Sequence, residues 1–88
     1  MMNRTDLIIL AVLLEQQADN FMVAMSIDEI MEASLEGVSR MTVYTHLRYL
    51  VIKGAVNKGA KDDRADCYYI TDIGKKILEK EGKVMEDD

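Results

Sequence analysis

The sequence contains no proline, no internal repeat and no low-complexity tract. Nothing in it divides the chain, and 88 residues are expected to form one small domain. A single cysteine, Cys67, excludes an internal disulfide and fits a reducing, cytoplasmic setting. The longest uninterrupted apolar run, Leu7 to Leu14, is far shorter than the roughly 20 residues that span a bilayer, so no membrane partner is expected. Asp6 precedes that run and no small-residue cleavage site follows it, so no signal peptide is expected. There is no glycine-rich phosphate loop and no nucleophile beside a base at a suggestive spacing, which leaves enzyme chemistry unsupported and implies no cofactor. One histidine and one cysteine without paired ligand spacing make a poor zinc site, and no metal is expected.

The most telling absence is local. Between Gly37 and Lys61 there is no acidic residue, whereas Arg40, Arg48, Lys53, Lys58 and Lys61 give the stretch a charge of +5. The chain as a whole carries −5, with −6 over residues 1–36 and −4 over residues 62–88. A net acidic chain is not a general polyanion binder. A segregated basic stripe points to one face that meets a polyanion while the rest repels it.

The pattern along the chain predicts helix, short strand, helix, helix, hairpin, helix. Thr5 or Asn3 caps a first helix that runs to about Gln17, with Asp6 near its positive end. The run LIILAVLL is apolar on every side of that helix, more than one core contact requires. A homodimer contact through Leu7, Ile8, Leu10, Ala11 and Leu14 is one reading, and a small core wrapping most of the helix is the other. Residues 18–25 read as a turn and a short extended segment. Ser26 and Glu29 form a capping box for a second helix that fades near Ser34, and Gly37 supplies a turn.

Ser39 caps a third helix, Arg40 to Lys53, which stops at Gly54. At about 100° per residue, Val43, Leu47 and Leu50 fall in one arc and face the core. Tyr44, His46 and Val51 flank them, and Met41, Thr42, Thr45, Arg48, Tyr49 and Ile52 point away. Ala55 to about Lys61 and Asp66 to Thr71 read as a hairpin, with Tyr68 and Ile70 on one face and Cys67 and Tyr69 on the other. Thr71 caps a last helix from Asp72 to about Glu81, with Ile73, Ile77 and Leu78 as its apolar stripe. Residues 1–82 are expected to be the domain, and 83–88 a charged, disordered tail.

Three pieces in this order resemble the winged helix-turn-helix regulators of the MarR, PadR and ArsR kind. SIDEIMEA, residues 26–33, is similar to the helix before the turn. Val38 to Val56 resembles the recognition helix. YYITDIGKKIL, residues 68–78, resembles the ending after the wing, with Thr71 and Gly74 in the usual places. The resemblance implies an α+β fold, a three-helix core with a two-stranded wing and a C-terminal helix. It implies sequence-specific binding of double-stranded DNA, most simply by a small homodimeric transcriptional repressor. The chain departs from the pattern in a longer turn after the second helix, in acids at the wing (Asp62, Asp63 and Asp66), and in Val51 and Ile52 where related proteins often carry glutamates. It lacks the long extra helices of larger members, so no small-molecule effector can be assigned.

A helix in the major groove reads bases with residues near its N-terminus. The base-reading candidates are Arg40, Met41, Thr42 and Thr45, with a phosphate contact or an intramolecular ion pair open for Arg40. Ser39, Tyr44, Arg48 and Tyr49 are the phosphate candidates. Arg48 leads them, because nothing acidic lies within a helical turn of it. Lys61 and Arg64 are wing candidates, with pairing to Asp62, Asp63 or Asp66 open for Arg64. Cys67 is read as a packed side chain rather than a redox switch, and His46 as half-buried on the flank of the third helix. The second functional reading is a winged-helix protein-interaction module, as in replication or partition of a mobile element. The acidic total charge, the acidic wing and the apolar Val51–Ile52 pair motivate it.

Overall fold

The computed structural model of the chain describes residues 2–35, 37–61 and 65–86. Helix α1 (Arg4–Glu15) opens on a capping box made by Asn3 rather than Thr5: the Asn3 side chain accepts the Asp6 N–H, and the Asp6 carboxylate accepts the Asn3 N–H. α1 closes two residues before the expected end. Gln17 takes a left-handed φ of 61°, its N–H reaches the Leu14 carbonyl, and the Ala18 N–H reaches that of Leu13. This is the closing pair of bonds that glycine more often makes, which is why the sequence does not mark it.

A single 3-10 turn (Phe21–Val23) and a two-residue strand β1 (Met25–Ser26) follow. Ser26 then caps α2 (Ile27–Ser34) through the expected reciprocal box with Glu29. Gly37 has the positive φ, 76°, that the turn requires. Ser39 caps α3 (Arg40–Ile52). Gly54 ends α3 at φ 80°, its N–H bonded to Val51 and the Ala55 N–H to Leu50, again a closing pair.

The hairpin is β2 (Val56–Lys58) and β3 (Cys67–Ile70), shorter than expected in both strands. β1 joins it, giving a three-stranded antiparallel sheet in the order β1-β3-β2, with Ser26 opposite Cys67 and Val56 opposite Ile70. The sheet thus ties the entrance of α2 to the wing. Thr71 accepts the Gly74 N–H and donates to the Gly54 carbonyl, so the cap of α4 (Asp72–Glu86) also fastens it to the end of α3. A side chain at Gly74 would collide with the Ala55 carbonyl oxygen, so only glycine permits this approach. α4 continues through residues 82–86, beyond the expected end near Glu81, and Asp87 and Asp88 lie outside the described residues.

α1 packs on α2, α3 and α4 and is the centre of the fold. Ile9, Leu10 and Leu13 of α1 meet Ile30, Val43, Leu47, Leu50, Val56, Tyr68 and Ile70 in one core, as the α3 periodicity predicts for its three members. Of the α4 stripe, Ile77 and Leu78 pack against this core, whereas Ile73 is exposed. No described helix is long and apolar enough to cross a membrane.

Candidate nucleic-acid interface

Because Val43, Leu47 and Leu50 fix one side of α3 to the core, the opposite side is presented to solvent. Met41 and Ile52 are 71% and 77% exposed, and Thr42, Thr45 and Arg48 are also exposed. Ser39 accepts the Thr42 N–H at 3.2 Å and donates to the Thr42 hydroxyl at 2.9 Å, holding the first turn. Thr45 donates to the Met41 carbonyl. Among the described residues no carboxylate pairs with Arg48, which leaves its charge uncompensated on this face.

Clefts border α3 on two sides. The wing side carries one of about 390 Å³ lined by Ile27, Arg40, Met41, Tyr44, Ala65, Asp66 and Tyr68. It is continued by one of about 230 Å³ that brings Arg48 and Lys58 beside Tyr44 and Tyr68. Lys58 comes from β2 and Arg48 from α3, so the fold converges two cations that the sequence separates. Tyr68 is almost wholly buried and yet lines both spaces. Its phenol is pushed above the ordinary tyrosine range, first by burial and then by the Asp66 carboxylate, Tyr44 and Cys67, so it stays protonated and able to donate. On the other side, an open cleft of about 300 Å³ between α1 and α3 is lined by Asn3, Asp6, Thr45, His46 and Tyr49.

Several expected residues sit differently from the reading by periodicity. Arg40 pairs with Asp28 of α2, the ion-pair alternative, at a site where both side chains are exposed. Tyr49 does not simply point away. It is half-buried against the core, with the Lys53 ammonium 5.5 Å from its ring centre. Asp66 lies 3.6 Å from both Lys58 and Lys61, so this wing acid holds two lysines together. Asp62, Asp63 and Arg64 lie outside the described residues. Of the dimer candidates, Leu7 and Leu10 are buried within the single chain, Ile8 and Ala11 are half-buried, and Leu14 is exposed. Cys67 is buried, in line with its reading as a packed side chain.

Sequence reasoning missed three features. Lys58 and Tyr68 belong to the wing-side cleft, and only the register of the hairpin against α3 brings them there. The third is the pairing of His46 Nδ1 with Asp6 Oδ1 at 2.6 Å. These residues are far apart in sequence, and no local pattern links them.

No protein-family description and no curated protein matches the sequence. Solved structures do. The chain superposes on BpsR of Bordetella bronchiseptica, whose DNA binding is regulated by 6-hydroxynicotinic acid, with a TM-score of 0.78 at 16% identity over 97% of this chain and 56% of that one. It superposes on a PadR family transcription regulator from Clostridium difficile R20291 with a TM-score of 0.75, at 17% identity over 96% of this chain and 88% of that one. For the DNA-binding TubR fragment from Clostridium botulinum the TM-score is 0.70, at 22% identity over 91% and 96%. The chain therefore spans little more than half of BpsR and nearly all of the smaller two. The architecture common to these likenesses, a helical core with a three-stranded antiparallel sheet, is the winged helix-turn-helix, and this chain has that fold.

Proposed function

We propose that the chain binds duplex DNA, with α3 in the major groove, and acts in the cytoplasm as a small transcriptional repressor. The observation that carries this reading is the exposed side of α3, free of acids in an acidic protein and bordered by a cleft where Arg48 and Lys58 converge. In this reading Met41, Thr42 and Thr45 meet base edges. Arg40 joins them when a phosphate or base displaces it from Asp28. Arg48 and Lys58 neutralise phosphates, with Ser39, Tyr44 and Tyr68 as uncharged donors and Tyr49 at the margin. Lys61 extends the basic surface along the wing. Likeness to DNA-binding regulators of the same fold supports the reading. Two copies, joined through α1 and α4, would place their α3 helices in successive major grooves about 34 Å apart on a near-palindrome.

The test is a fluorescence-anisotropy titration against the DNA upstream of the protein's own gene, with an unrelated duplex as control. Preferential binding to the upstream duplex supports a sequence-specific regulator. Equal binding to both removes the specificity. The exposed Met41 and Ile52 favour the second reading, a protein-interaction module. Absence of binding to either duplex at low salt would leave that reading in its place.

A further inference from the structure

The connection between α1 and β1 is fixed to the sheet at three points. The Ala18 carbonyl accepts the Ile70 N–H at 2.8 Å, and Met25 pairs opposite Tyr68, so both ends lie along β3. Between them the 3-10 turn reaches past β3 to the continuation of β2, where the Phe21 carbonyl accepts the Ala60 N–H at 2.8 Å. Burial does not hold the turn there, because Phe21, Met22 and Val23 are all exposed. Asn20 holds its shape, through a side chain that accepts the Met22 N–H at 3.0 Å. Gly59 lets it approach the wing. A Cβ at Gly59 would collide with the Ala24 methyl and lie 2.7 Å from the Phe21 carbonyl oxygen. Gly59 and Ala60 are the two residues between Lys58 and Lys61. Asp66, just before β3, lies 3.6 Å from each of those lysines. The turn thus grips the wing through the backbone between the lysines, and Asp66 grips it through their ammonium groups. Lys58 also lines the cleft that holds Arg48.

We propose that the Phe21–Val23 turn is a strap that positions the wing for DNA: through Gly59 and Ala60 it holds Lys58 and Lys61 in place for the duplex backbone that Arg48 also meets. The inference rests on the DNA-binding reading and names the residues that set its wing contacts. Gly59 and Asn20 act through the two lysines and are positioning residues. The gain is preorganisation. A lysine on a freely swinging wing loses conformational freedom when it meets a phosphate, whereas a strapped wing has lost part of that freedom on folding. A strap attached by its backbone suits the task, because neither the turn nor the glycine adds a charge that would oppose a polyanion. Core packing does not account for the turn, since none of its three residues is buried.

The test is a double-mutant cycle on Kd, read by anisotropy with a rhodamine-labelled duplex of arbitrary sequence at fixed low salt, because phosphate contacts do not need the operator. Gly59→Ala in the wild-type background should weaken binding about tenfold. In an Arg48→Ala background the loss should again be about tenfold, since the strap does not act through α3. With Lys58→Ala and Lys61→Ala both present it should shrink to less than about twofold, since nothing remains to be positioned. Asn20→Ala loosens the turn without a collision. It should follow the same pattern from a loss of about threefold, and it carries the cycle if Gly59→Ala does not fold. General damage to the fold would cost affinity equally in all three backgrounds. That result, or no loss with either variant, overturns the inference and leaves DNA binding standing. A wild-type protein that binds no duplex overturns both.

Discussion

Arg40 and Arg48 share one helix and differ in electrostatic circumstance. Arg40 is tied to Asp28 by an exposed pair, side chains 58% and 72% accessible, of a kind worth about 0–1 kcal/mol, so a phosphate can displace it. Arg48 has no such partner among the described residues and meets Lys58 and two tyrosines across a cleft. Tyr68 in that cleft yields a prediction about stability. Its phenol is held above the unperturbed value of 10.0 by burial and by Asp66, so the folded chain keeps its proton longer than the unfolded one. The contribution is present below that value and is lost as pH rises through the folded-state value. Urea midpoints should therefore fall above about pH 10, and Tyr68→Phe should fall less steeply. Parallel declines would show that Tyr68 has no part in it. Single residues are legible where their partners are near in sequence. Ser26 with Glu29, and Ser39 at the start of α3, are local devices and stand as expected. His46 with Asp6 joins two helices, and only the fold brings them together.

For the elements, legibility follows from whether a helix carries a phase. α3 alternates apolar and polar residues, and Val43, Leu47 and Leu50 are readable as its buried arc. α1 is apolar all round and offers no phase, so pattern alone does not separate its core and surface sides. The fold separates them: Leu10 is inside, and Leu14 is 41% exposed with Ile8 and Ala11 beside it at half burial. The proposed dimer contact therefore narrows to those three. Leu14→Lys should convert a dimer to a monomer by light scattering with little change in unfolding midpoint, while Leu10→Ala should cost about 2–5 kcal/mol of stability. A wild-type monomer at micromolar concentration would remove the symmetric-operator part of the account. The strands are the least legible. β1 has two residues and pairs only because β3 passes beside it, an association no local window contains.

At the scale of the molecule, the distribution of charge is legible in the sequence itself, because an acid-free stretch in an acidic chain is visible by counting. The fold adds the convergence. It sets the exposed side of α3 and the wing on either side of one cleft, and turns Asp66 into a brace for Lys58 and Lys61. It leaves most of the acidic residues of α1, α2 and α4 away from that cleft, where they oppose indiscriminate attachment to a polyanion. The most direct test of the central claim is the salt dependence of duplex binding by wild type and Arg48→Ala. The account predicts a log–log slope of about −0.9 for each phosphate neutralised, made shallower by about one contact in the variant, with weaker binding across all sequences. Binding that ignores salt, or an Arg48→Ala protein with an unchanged slope and affinity, would contradict it.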